Sequence, residues 1–146
     1  LSGDWFRSRA VQGQVVQGWV PSRASVALRG SDGNGRPVLE SAFGVAMAPV
    51  YLTGGDGRHW KADRLVPGDR VKLAEVAEGE FEKWLGDVFD EPSENLKARI
   101  TEARTRRGWF FGMAQGSDLF VPTSLQVVWR RDQMLCLGPV EPEVRP

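Results

Sequence analysis

The chain has 146 residues, which suits one ordinary domain or two very small ones. At 41% hydrophobic residues it can build a core, which excludes wholesale disorder, and a net charge of zero gives no whole-molecule field that would favour a polyanion. A single cysteine excludes an internal disulfide, and one cysteine with one histidine excludes a zinc site of the usual four-ligand kind.

In chain order, Trp5-Phe6 reads as a barrel cap, and AVQGQVV is a first strand with a turn around Gly18–Ser22. In RASVALR, Ala24, Val26 and Leu28 alternate with Ser25, Ala27 and Arg29, the period of a half-buried strand. SDGNG, Ser31 to Gly35, is a turn, because Asp-Gly and Asn-Gly tolerate positive φ. PVLESAFGVAMAPVYL gives one long strand or two short ones, broken near Gly44 or Pro49. GGDGRHW is a loop that places His59 in solvent. In RLVPGDRVKLAEV, a turn at Pro67-Gly68-Asp69 precedes a strand through Val71, Leu73 and, after a slip, Val76.

Charge then changes sign. Residues 1–73 sum to +4, residues 74–96 to −7 and residues 97–146 to +3. Within the acidic stretch, Phe81, Trp84, Leu85, Val88 and Phe89 recur at helical spacing until Pro92, which predicts an amphipathic helix at about residues 79–91 with its acids in solvent. NLKARITEA fits either period: Leu96, Ala98 and Ile100 alternate, whereas Leu96, Ile100 and Ala103 suit a helix. The strand is preferred because of the resemblance described below. RGWFFGMA, SDLFVP and QVVWRRDQMLCLG complete a second set of strands, with Cys136 a small buried hydrophobe, and the proline-rich end is an extended or disordered tail.

The Gly-rich segments lack the Lys-Ser/Thr of a phosphate loop, and Ser124 has no base partner for a hydrolase triad. No enzyme activity, metal or cofactor is expected. The most conspicuous stretch is RRGWFFGMAQGSDLFVP, Arg106 to Pro122. Side chains alternate along a strand, so Trp109 and Phe111 point one way and Phe110 the other, towards the core. Phe120 on the next strand would lie beside the first pair. Exposed together, these three rings would stack on unpaired bases, and Lys97, Arg99, Arg104, Arg106 and Arg107 would contact phosphates. The same aromatics also suit a core, since strands favour them, or a protein interface, which favours Trp and Arg.

KARITEARTRRGWFFGMAQGSDLFVPTSL resembles the first three strands of a cold-shock domain and its oligonucleotide-binding (OB) barrel relatives. Arg107, Gly108, Trp109 and Phe111 match one family motif, and Asp118, Leu119, Phe120 and Val121 the next. FVPTSLQVVWRRDQMLCL and LVPGDRVKL resemble parts of the cold-shock-type domains of RNase II- and RNase R-like exoribonucleases. Phe110 replaces a small residue of the pattern, Pro122 a histidine and Glu102 an aromatic. The resemblance implies a mainly β chain of one or two small OB-like antiparallel barrels with one short helix between them.

The expected organisation is a first barrel-like unit over 1–78, an acidic helical connector over 79–95, a cold-shock-like unit over 96–140 and a tail over 141–146. The second unit is short, which also allows the two halves to share one sheet. The resulting expectation is a binding module for single-stranded RNA or DNA. The alternative is a protein-interaction or self-associating domain with the aromatic strands in an interface. With neither a bilayer-spanning run nor a signal-peptide pattern, no membrane segment is expected and the chain is placed in the cytoplasm. Leu1 in place of Met reads as the start of a piece cut from a longer protein.

Overall fold

The structure is a computed structural model that describes residues 24–88, 94–115 and 133–142. The expected features at Trp5-Phe6, AVQGQVV, Phe89, Pro92, SDLFVP, Ser124 and QVVWRR lie outside these residues.

β1 (Val26–Ser31) and β2 (Pro37–Ser41) form an antiparallel hairpin over the expected SDGNG turn. Asp32 closes that turn: its Oδ1 accepts the backbone N–H of Asn34 at 2.9 Å and of Arg36 at 3.0 Å. The Arg36 N–H is the largest of the causes that hold the Asp32 carboxyl below its usual range. The long apolar run after Pro37 is two strands, β2 and β3 (Met47–Thr53), broken around Gly44. Pro49 stays inside β3, where the pairing shifts between Met47 and Val50. β4 (His59–Ala62) returns antiparallel to β3.

The slip expected after Leu73 has a structural cause. β5 (Arg70–Lys72) pairs with β2, whereas β6 (Ala74–Val76) pairs with β4 in the other sheet. Leu73, 1% exposed, is where the chain changes sheets. Corners of this kind let one stretch of chain serve both layers of a sandwich.

α1 (Glu78–Val88) agrees with the helix expected at 79–91 up to the end of the described segment. Glu78 and Glu80 in its first turn complement the helix dipole. A second helix, α2 (Glu94–Arg104), replaces the strand expected in NLKARITEA. The helical period prevails because Ile100 and Ala103 share one face and are buried with Phe81 and Leu85 of α1. β7 (Trp109–Gln115) and β8 (Gln133–Pro139) follow.

The protein is thus mainly β, with two antiparallel sheets ordered β1-β2-β5 and β6-β4-β3-β7-β8. They do not close into the expected barrel among the described residues. β3 and β7 are hydrogen-bonded neighbours, so strands from both halves of the chain share a sheet. One core fills the space between the sheets, from Val26 and Leu39 on one to Val50, Leu52, Trp60 and Phe110 on the other. A second core lies under the helices and joins Tyr51 and Phe111 to Phe81, Leu85 and Ile100. No helix among the described residues is long and apolar enough to cross a membrane.

Candidate interaction site

β7 carries the aromatic run, and the turn before it sets which side each ring faces. Gly108 has a φ of +71° and donates its N–H to the Thr53 carbonyl at 2.7 Å, while Trp109 pairs with the same Thr53. Two residues against one, with glycine in the left-handed region, make a β-bulge. Beyond it the strand alternates regularly. Phe110 enters the core between the sheets, as expected, and meets Phe43 edge-on with centroids 5.9 Å apart.

Phe111 is buried too, on the opposite face. It is 0% exposed and packs edge-on against Phe81 of α1 at 5.2 Å. The expectation that it faces water with Trp109 is therefore corrected: the helix that sequence reading placed in a connector covers this face. Trp109 is half-buried at the margin of the same core, with the Arg106 guanidinium 4.8 Å from its ring centroid. Phe120 lies outside the described residues.

The expected phosphate contacts are dispersed in the same way. Lys97, Arg99 and Arg104 sit on α2 rather than on a strand, and Arg104 bonds Glu82 of α1 at 2.9 Å. Arg106 pairs with Glu102, and Arg107 donates to the Gly55 carbonyl at 3.3 Å. Glu102 on α2 thus anchors the arginine that lies over Trp109.

Two other residues have defined settings. His59 opens β4 rather than lying in a solvent loop; its ring stacks on Phe81 at 5.2 Å, and its Nδ1 is 3.4 Å from Thr53 Oγ1. Cys136 is buried in β8 as expected, and burial pushes its thiol up to about 11, so it is a thiol and not a nucleophilic thiolate near neutral pH. No group of three or more metal-binding side chains occurs among the described residues.

The sheet edges differ sharply from one another. β5 and β6 are three residues long; the first carries Arg70 and Lys72, the second Glu75. β1 is capped at Val26–Leu28 by Glu141, which donates to the Val26 carbonyl and accepts from the Leu28 N–H. Short, charged or covered edges resist added strands. Among the described residues β8 is none of these. Its seven residues, QMLCLGP, carry no charge, and among the described residues it has one strand neighbour, β7.

The direction of its open groups follows from the pairing. Val140 donates to Gly108 in the register that pairs Phe110 with Gly138 and Gly112 with Cys136. Main-chain groups of antiparallel strands alternate in direction. Those of Met134, Cys136 and Gly138 therefore point to β7, and those of Leu135 and Leu137 point outward. The outward direction is also the one in which Glu141, further along, meets β1. Leu135 and Leu137 are half-buried beside the helix-covered core, so an apolar border lines the open edge. Sequence reading missed this site because the feature is the absence of a second neighbour among the described strands, which depends on strand order. The one available signal was a seven-residue stretch without charge.

Comparison with protein-family models, curated proteins and solved structures found no match to this chain.

Proposed function

We propose that the chain is a protein-interaction or assembly domain that receives an extended segment along the outer edge of β8. The observation that carries this reading is the contrast among the edges: β8 alone, among the described strands, is at once long, uncharged and open on one side. An added strand gains main-chain hydrogen bonds from Leu135 and Leu137, and its alternate side chains meet the apolar border for specificity. Arginine and tryptophan near the same end, at Arg106 and Trp109, suit a protein interface.

Binding of single strands by base stacking has less support. It needs adjacent exposed rings, and Phe111 lies beneath α1. The cold-shock and OB-barrel likeness rests on the motif around Trp109, while its expected first strand is α2. Two titrations separate the readings. A peptide of residues 133–139, with serine in place of the cysteine, is expected to perturb the amide resonances of Leu135 and Leu137. Oligo-dT at low salt is expected to leave tryptophan fluorescence unchanged. Quenching by oligo-dT that is lost in Trp109→Ala, together with no response to the peptide, would reverse the choice.

A further inference from the structure

We infer that the corner where the chain passes from β5 to β6 holds a small-molecule site that takes an organic phosphate, with its anionic head on Arg64 and Lys72 and an apolar body against Ala62, Val71 and Val76. The site lies beside β4 and β6, at the opposite edge of the five-stranded sheet from β8, and goes beyond the edge-binding reading above.

The first observation is shape. A groove of about 420 Å³ opens between the end of β4 and the stretch that carries β5 and β6. Small-molecule sites run to roughly 300–1,000 Å³ and combine apolar walls with a few placed polar groups. Ala62 is buried in the wall of this groove, and Val71 and Val76 are half-buried there.

The second observation is charge. Lys61, Arg64 and Lys72 line the groove against Asp63 and Glu80. Lys61 is already engaged: its Nζ is 2.8 Å from Glu80 and 5.6 Å from the centroid of the Tyr51 ring. That pair cancels, and two cations remain against Asp63. Arg29, Arg58, Arg70, Arg104 and Arg106 each bond a carboxylate. Arg64 bonds none among the described residues, and the Lys72 ammonium acts on Asp32 only through space. A guanidinium fork and an ammonium in one groove suit a phosphate, which offers three oxygens and close to two charges.

The third observation is a fixed backbone beside both cations. Leu65, next to Arg64, is 1% exposed and exchanges two hydrogen bonds with Met47, at 2.8 and 2.9 Å. Leu73, next to Lys72, is 1% exposed and donates its N–H to the Pro37 carbonyl at 3.0 Å. These anchors hold the main chain in place, so binding has to order side chains and not a loop.

The test is a titration of the isotope-labelled chain with phenyl phosphate in phosphate-free buffer, read at the amide resonances of Arg64, Lys72 and Val76. Saturable shifts are expected at these amides. Arg64→Ala and Lys72→Ala should each weaken binding at least about fivefold, as the loss of a charged hydrogen bond does. Both side chains are exposed, so the spectrum away from the groove should stay that of the parent. Asp63→Asn should tighten binding, because it removes a like charge. Arg36→Ala is the control. Arg36 is exposed and bonds no carboxylate among the described residues, but it lies outside the groove, so its loss should change affinity less than about twofold.

No saturable shift at these amides overturns the site. Equal losses in Arg36→Ala and Arg64→Ala overturn it too, since they show diffuse attraction to surface charge. Phenol shifting the same amides as strongly overturns the anion subsite, and benzoate binding as tightly as phenyl phosphate overturns the assignment to phosphate. None of these outcomes touches the peptide response at Leu135 and Leu137, which tests the β8 edge separately.

Discussion

The two faces of the five-stranded sheet are closed in different ways. One is covered by a second sheet and buries Val50, Leu52, Trp60 and Phe110. The other is covered by α1 and α2 and buries Tyr51 and Phe111, but leaves Trp84, Trp109, Leu135 and Leu137 half-exposed at its margin. Two helices of eleven residues cannot cover five strands as fully as a facing sheet does. The margin of the helical face is therefore where half-exposed apolar side chains meet β8, which has one strand neighbour among the described residues.

The sharpest way to break the comparison is to remove one large ring from each face. Phe110→Ala and Phe111→Ala should each cost about 3–5 kcal/mol in chemical denaturation, the usual penalty for a deleted buried phenylalanine. A loss well under 1 kcal/mol for Phe111→Ala would show that the helices do not close their face, and would restore a stacking surface.

Gly112 probes the tighter face. A Cβ there would come 2.7 Å from the Met47 sulfur and 3.2 Å from its Cβ. Gly112→Ala should therefore cost about 1–3 kcal/mol, as overpacked cores do, and the double variant with Met47→Ala should cost less than the sum of the two single changes, because truncating Met47 relieves the clash. Thermal unfolding of the single and double variants checks this. On the helical face Ile100→Val should cost about 0.5–1.5 kcal/mol.

Alkaline pH distinguishes the faces through one buried acid on each. The Cys136 thiol belongs to the core between the sheets and the Tyr51 phenol to the helical one, and burial raises both. A raised acid keeps its proton in the folded chain while the unfolded chain releases it. Stability contributed by Cys136 is thus intact below about pH 9 and is lost as pH rises towards about 11, with Tyr51 acting in the same direction above pH 10. Cys136→Ala should flatten the earlier part of that decline in denaturation series at pH 8 to 11. Alkylation of Cys136 at pH 8 should need prior unfolding.

The smallest effect belongs to the exposed turn. Arg106→Ala breaks the pair with Glu102 and uncovers the Trp109 ring, and should cost no more than about 1 kcal/mol. Its readout is a shift in tryptophan emission to longer wavelength, with the fold unchanged.

Much of the fold was legible in local pattern. The hairpin turn at SDGNG, the strand through Val26, the helix through Phe81 and Leu85 and the buried Cys136 follow from turn chemistry, period and burial tendency. NLKARITEA was not legible, because Ile100 suits both periods and the choice depends on the α1 face it packs against. The site was harder still. The strand period correctly set Trp109 and Phe111 on one side and Phe110 on the other. Whether that side meets water depends on where a helix more than twenty residues earlier in the chain is laid down.

The sequence by itself therefore determined the mainly β character, the placement of turns and the acidic amphipathic helix, since these arise from neighbouring residues and composition. Tertiary structure alone decided the strand order, the change of sheet at Leu73 and the burial of Phe111. These depend on pairings between residues far apart in the chain, such as Thr53 with Trp109, whose hydrogen bonds any extended backbone can make and which local side-chain pattern does not encode.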